Sequence, residues 1–446
     1  MPILSAPEEK QQCNSNDSNY PINDACLTER YPAACVRSHT RRGGQFFRNL
    51  VLNRLSMLQD GQLTVHDAFG EKCIGRLTGA ETSASIHVHR NQFYRRIALG
   101  GSLGAAESYI RGDWESPNLT DAMRVLARNM EVLAGVEQGG SKLLRPLRVA
   151  ANWLRRNTRR GSRRNISTHY DLSNAFFALM LDPTMTYSSA FFDNSKTTLE
   201  EASIEKYDRI CRKLQLAPSD HVLEIGTGWG GFAEHAAKQY GCRVTTTTIS
   251  EKQHAYATAR FSKAGLTAQV TLLNDDYRDL RGSFTKLVSI EMVEAVGQRY
   301  LPEYFAKCSQ LLQPDGAMCL QAIVIPDHRY ERYQRSVDFI QQYIFQGGFL
   351  PSMGAIADCV GRRTDLRFVH REDFGAHYAT TLSMWRQRFW ENIDKVKALG
   401  FDERFVRMWH YYLCYCEAGF HERQIGVSQV LLAKPKCQLD FGPLIN

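Results

Sequence analysis

The stretch VLEIGTGWGGF, residues 222–232, decides the fold. An apolar run ends in glycines at 226, 228 and 231, which reads as a strand turning tightly into a helix. The spacing satisfies the G-x-G-x-x-G pattern of dinucleotide folds, where a helix N-terminus seats an anion. Such folds expect an acid about 20 residues further on, at the end of the second strand, for the ribose hydroxyls. Here that strand ends Thr245–Thr248, and Glu251 already lies in the next helix. Glu224 instead stands just before the first glycine, awkward for a pyrophosphate and favourable for a cationic ligand. S-adenosylmethionine carries a sulfonium, an ammonium and one carboxylate, the last suited to a helix N-terminus. Asp276, in NDDY, ends the third strand, where it can accept from an adenine amino group. Loop, Glu224 and Asp276 together favour a methyl-donor site over a nicotinamide site.

Working outward, strands and helices alternate: CRVTTTTI, EKQHAYATARFSKAG, VTLLNDDY, FTKLVSIEMV, LPEYFAKCSQLL and AMCLQAIVI. This order implies a parallel, doubly wound α/β sheet covered on both faces, with ligands at the carboxyl ends of its strands. Residues 326–425 are rich in aromatics at helical spacing and read as a cap over those ends. Upstream, FFRNLVLNRLSML reads as a helix and QLTVHDAF and ASIHVHR as strands, so the first module is mixed α and β. We divide the chain into a polar tail (1–40), an N-terminal α+β module (41–138), a basic linker (139–164) and the main domain (165–435).

Between Lys142 and Arg164 lie nine basic residues and no acidic one, in KLLRPLRVAANWLRRNTRRGSRR. Two readings stay open, an anionic membrane surface or a solvated linker, and nucleic acid is set aside. The net charge is +8, with 43% hydrophobic and 23% charged residues, as in soluble globular proteins. No run of about 18 apolar residues suggests a spanning helix. The twelve cysteines are scattered and no export signal is legible, which points to reduced thiols in the cytoplasm. Cys414 and Cys416 lack a second Cys/His pair, so no metal is expected.

Three more segments converge above the sheet. TMTYSSAFF (184–192) offers hydroxyls, although an aromatic core turn is an equal reading. SIEMVEAVG (289–297) ends the fourth strand with Glu291 and Glu294, and burying carboxylates there is costly unless they are paired. Gln321, inside the apolar strand CLQAIVI, is either a hydrogen-bonded core amide or part of a site.

The ordered set GSLGAAESYIRGDWE, HYDLSNAFF, LDPTMTYSSAFF, VLEIGTGWGG, TTTISEKQ, NDDYRDL, VSIEMVEAVG, YIFQGGFLPS, FGAHYATTLSMW and YYLCYCEAGF closely resembles the cyclopropane fatty acid synthases and mycolic-acid methyltransferases, across roughly residues 90–430. The resemblance implies a class I, Rossmann-like methyltransferase domain. It implies transfer of a methylene from S-adenosylmethionine to a cis double bond of a phospholipid acyl chain, through a carbocation. It places Tyr187, Ser188, Glu224, Gly226, Gly228, Trp229, Gly230, Thr248, Ser250, Gln253, Asp276 and Tyr277 at the donor. An active-site bicarbonate would be held by Glu294, Tyr378 and the backbone of Ile323, while Cys416 maps to a late cysteine often taken as catalytic, with a buried thiol as the alternative. Tyr170 and Tyr343 are candidate substrate contacts.

Two positions depart from the family pattern: Ser189 stands where cysteine is common, and Gln321 where histidine is common. Both still donate hydrogen bonds, so an anion cage can persist in weaker form, but titration near neutrality is lost. The rival products are methyl-branched or methyl-alkene lipids, or a methylated small molecule. A non-catalytic lipid-binding or donor-sensing protein is the reading of another class. Expected partners are an unsaturated phospholipid, the inner membrane face as a peripheral surface, and a second copy in a symmetric dimer.

Overall fold

A computed structural model describes residues 42–77, 82–131 and 172–440. The tail, the basic stretch and Tyr170 lie outside them.

The N-terminal part opens with α1 (Arg42–Leu55), followed by β1 (Gly61–Asp67), β2 (Gly70–Arg76) and β3 (Ser83–Val88). Next come α2 (Gln92–Ile110), β4 (Trp114–Glu115) and α3 (Leu119–Arg128). The four strands form one sheet in the order β2-β1-β3-β4. Leu63 and Val65 of β1 point into the core on alternate positions, as period-two patterning requires. β2, GEKCIGR, buries only Ile74 and therefore carried no strand signal in the sequence. The glycines of GGSLG break α2: Gly101 has φ 60° and ψ −139°. A Cβ on Gly104 would lie 2.0 Å from the Arg96 carbonyl oxygen, so only glycine lets the chain cross itself there.

The main domain contains α4 (Asn174–Met180), α5 (Leu199–Lys213), β5 (His221–Ile225), α6 (Gly231–Tyr240), β6 (Arg243–Thr247) and α7 (Glu251–Lys263). There follow β7 (Val270–Leu273), β8 (Phe284–Ile290), α8 (Leu301–Leu311), β9 (Leu312–Val324), α9 (Asp327–Gln334) and α10 (Met353–Arg363). The chain continues through β10 (Arg367–Asp373), α11 (Gly375–Glu391), α12 (Ile393–Ala398), α13 (Glu403–His421) and β11 (Gly426–Ala433). Helix starts follow their caps: Thr198 and Glu201 form a capping box on α5, and Ser250 and Asp402 cap α7 and α13.

The seven strands run β10-β11-β9-β8-β5-β6-β7. From β9 to β7 every pair is parallel, in agreement with the alternating pattern. β11 and β10 add antiparallel strands at one edge, so the sheet is mixed. Within 326–425, the stretch read as a helical cap, the strand β10 interrupts the helices and joins the sheet edge. β10, RFVHRED, is an edge strand that buries little and so lacks an apolar period.

α13 joins the two parts. Arg407 donates to the carbonyls of Tyr109 (2.6 Å) and Trp114 (2.8 Å), and Arg124 and Arg128 both bind Glu422 at 2.7 Å. Among the described residues no helix is long and apolar enough to cross a membrane.

Candidate active site

The strand order reverses between β5 and β8, and in an open α/β sheet ligands bind beyond the carboxyl ends of the strands at such a point. The loop between β5 and α6 turns through Gly226, Gly228 and Gly230, with φ of 105°, 54° and 89°. These left-handed values suit glycine, and a Cβ on Gly230 would also sit 2.9 Å from the Phe261 ring. The Gly231 position is equally tight, because a Cβ there would meet the Tyr207 hydroxyl at 2.6 Å. The backbone can therefore approach a ligand closely at the start of α6.

Glu224 is buried and accepts from Thr246 Oγ1 at 2.6 Å. Burial raises its pKa to about 8 against the opposing Thr246 hydrogen bond and the charge of Lys206. A buried carboxyl of this kind gains from a cationic ligand. Thr248 donates to Gln253 Oε1 at 2.9 Å and accepts from the Ser250 amide at 3.2 Å, which fixes the start of α7. Asp276 is gripped by Arg278 through Nε (2.8 Å) and Nη2 (2.6 Å), so a nucleobase there would share its acceptor. Trp229 is buried and donates to Asn174 at 2.9 Å.

A cavity of about 950 Å³ runs along this edge. It is lined by Tyr187, Ser188, Glu224, Gly226, Gly228 and Trp229 from the donor set, and by Thr248, Gln253, Asp276 and Tyr277. The same cavity reaches Glu291, Glu294, Ile323, Tyr378 and Cys416, and then the N-terminal part at Ile97, Met123 and Leu126. Gly230, Ser250, Ser189 and Gln321 do not line it, and Tyr343 ties the π-helical turn Ile340–Ile344 to α2 by donating to Glu107 at 2.9 Å.

The residues expected to cage an anion converge on a side chain. Glu291 Oε1 accepts from the Ser189 amide (2.9 Å) and from Gln321 Nε2 (2.7 Å), and Oε2 accepts from the Tyr378 hydroxyl (2.7 Å). Gln321 is oriented in turn by Gln429 Nε2, 3.0 Å from its Oε1. The cage forms on Glu291 and not on Glu294, the acid that the family resemblance implies. Its signal was available: a second acid three residues before Glu294, at the active end of a buried strand. Glu291 adopts φ 49°, a left-handed conformation rare for a non-glycine residue. Such backbone strain costs about 1–3 kcal/mol and collects at functional sites.

Glu294 stands apart from the cage. Its Oε1 accepts from the Ile323 amide at 2.5 Å, while the buried Oε2 has no hydrogen-bond partner among the described residues. Burial, then the charge of Glu291, raises its pKa to about 8. Burial pushes the Cys416 thiol far up, away from a reactive thiolate. Among the described residues no cluster of three or more His, Cys, Asp or Glu side chains could hold a metal ion.

A model of the family described as mycolic acid cyclopropane synthetase matches residues 157–430. The tuberculostearic acid methyltransferase of Mycobacterium tuberculosis is 41% identical over 372 residues, covering 81% of this chain and 86% of that protein. The cyclopropane-fatty-acyl-phospholipid synthase of Escherichia coli K12 is 38% identical, over 79% and 88%. A solved mycolic acid cyclopropane synthase, complexed with SAH and CTAB, superposes with a TM-score of 0.57 at 30% identity, over 61% of this chain and 98% of its own. The main domain has the class I methyltransferase fold expected from the sequence.

Proposed function

The chain belongs to the mycolic acid cyclopropane synthetase family, and from that premise we propose that it methylates a cis double bond of an unsaturated lipid acyl chain and releases a methyl-bearing alkene. The observation that carries this reading is the Glu291 carboxylate, seated among Ser189, Gln321 and Tyr378. A bicarbonate does not fit where those three donors are already engaged by a resident carboxylate. The anion is built into the chain.

The glycine loop, Glu224, Thr248, Gln253 and Asp276 would hold S-adenosylmethionine, whose sulfonium supplies the methyl group. Glu224 offsets the positive charge of that ligand, and the start of α6 receives its carboxylate. An alkene is a weak nucleophile, so the protein acts through orientation and a dry, charged environment. The alkene π pair would form a new carbon–carbon bond to the methyl as its bond to sulfur breaks, the sulfur keeping that electron pair as a neutral thioether, and the adjacent carbon becomes cationic. The Glu291 carboxylate, fixed by its donors, faces this charge from the cavity wall. Glu294 Oε2 has acceptor capacity unused and is more basic than an ordinary carboxylate. It takes a proton from the chain carbon next to the cation, and the electron pair of that C–H bond restores a double bond. Loss of that proton from the chain carbon, in place of one from the newly added methyl, is what distinguishes the methyl-bearing alkene from a ring. The name of the 41% identical relative, a tuberculostearic acid methyltransferase, supports a methyl-bearing product.

The lipid would enter from a membrane surface. α1 exposes Phe46 (64% accessible), Leu50 and Met57 follows it, with Leu99 of α2 also exposed. Arg54 ends the same helix, which suits an anionic bilayer.

The test uses vesicles of dioleoylphosphatidylglycerol and methyl-labelled S-adenosylmethionine in carbonate-free buffer. Proton NMR of the extracted lipid should show a methyl-bearing alkene, formed at a rate indifferent to added bicarbonate. Upfield ring protons, or turnover that depends on bicarbonate, would overturn the assignment in favour of ring closure.

A further inference from the structure

Lys206, on α5, is wholly buried and belongs to neither the donor set nor the carboxylate pair. Its ammonium donates to Ser188 Oγ at 2.6 Å and lies 4.3 Å from the centroid of the Tyr207 ring. No carboxylate among the described residues forms an ion pair with it. Burying an ammonium without a contact ion pair is expensive, and folds keep such groups chiefly where a site uses their charge. The acids that act on it are Glu291 at the end of β8, Asp182 after α4 and Glu224 at the end of β5, in that order of strength. Two of the three line the cavity.

The covalent neighbourhood gives this charge a mechanical role as well. Ser188, held by Lys206, directly precedes Ser189, whose amide donates to Glu291 Oε1 at 2.9 Å. Tyr207, the next residue on α5, meets Thr186 Oγ1 at 2.6 Å and abuts Gly231 at the start of α6. One turn of α5 therefore props the segment 186–189 and the glycine loop together.

We propose that Lys206 is a positioning residue for methyl transfer: it holds the Ser188–Ser189 segment against Glu291 and, through its charge, keeps that carboxylate ionised while the donor is bound beside Glu224. This rests on the function proposed above. Burial lowers the lysine to about 8 even though its three acidic neighbours oppose that fall, and Lys206 in turn opposes the rise that burial imposes on Glu291, so the ammonium and the carboxylate sustain each other.

The test compares wild type, Lys206→Met, which keeps length without charge, and Lys206→Arg, which keeps charge. Lys206→Met should bind S-adenosylhomocysteine within about fivefold of wild type and lose about 100-fold in kcat. Infrared titration of the Glu291 carboxyl, identified by its absence in Glu291→Gln, should show it titrating about one pH unit higher in Lys206→Met. Lys206→Arg should restore that titration even where its bulk lowers kcat. Unchanged kcat in Lys206→Met, parallel loss of nucleoside binding, or an undisplaced Glu291 titration would each overturn the proposal. A displaced carboxyl titration in a protein that forms no lipid product would sink the acyl-chain reading and leave Lys206 in place.

Discussion

The Tyr378 hydroxyl donates to Glu291 Oε2 at 2.7 Å, joining α11 to the end of β8. Tyr378→Phe removes this donor and keeps the ring, which stacks on Phe420 at 4.4 Å. A hydrogen bond to a charged group is worth about 1.5–3 kcal/mol, so kcat should fall by about 10- to 100-fold. Steady-state kinetics alongside thermal unfolding checks this. A full kcat would detach Tyr378 from the reaction.

Glu294 binds its proton more tightly in the folded state, with a pKa of about 8 against an ordinary 4.5. Between those values the native protein retains a proton that the unfolded chain has released. Its contribution to stability is therefore complete at acid pH, falls as pH rises through that window, and is flat above it. Glu294→Gln should melt higher than wild type at pH 9 and close to it at pH 5. Glu224 adds a slope of the same sign that the variant retains. In activity the order reverses: Glu294 must be ionised to accept a proton, so wild-type kcat rises towards pH 8, and the glutamine variant loses about 100-fold or more. A variant with the wild-type melting curve at pH 9 and wild-type turnover would remove Glu294 from both roles.

Glu224 is held by Thr246 and faces the donor end of the cavity. Its raised pKa means that affinity for a cationic nucleoside ligand should increase from pH 7 to pH 9, as the carboxyl ionises. Glu224→Gln should weaken binding at pH 9 by about tenfold or more and flatten that dependence. Calorimetry with S-adenosylhomocysteine, whose ammonium remains, measures both.

The Cys416 thiol lines the cavity but is protonated under any working condition. Cys416→Ser should keep kcat within about fivefold of wild type, and iodoacetamide should modify the native thiol slowly at pH 8. Rapid alkylation coupled to inactivation would restore Cys416 as a reactive group.

Much of the proposed donor site is legible in the sequence because strand-end chemistry leaves local marks. Glu224, the three glycines and Asp276 each sit beside a run whose period declares a buried strand. β10 and β2 were hidden because they bury little and show no apolar alternation. The cage was half legible. Ser189, Gln321 and Tyr378 come from three distant segments, and spacing alone does not reveal that they meet on Glu291 instead of an external anion. The positive φ of Glu291 has no sequence signature, since glycine or asparagine would be the expected choice there. Lys206 was passed over because EKYDRICRK reads as the charged face of a surface helix, and its burial comes from packing under the segment 186–189.

The shared cavity wall gives the N-terminal part, from α1 to α3, the role of a stopper beside the membrane docking proposed for it. Ile97, Met123 and Leu126 close the far end of the chamber in which a carbocation would have to survive. A polypeptide beginning near residue 172 would leave that end open to solvent. Hydroxide from the breach would then compete for the cation, and the leak would appear as methylated alcohols among the lipid products.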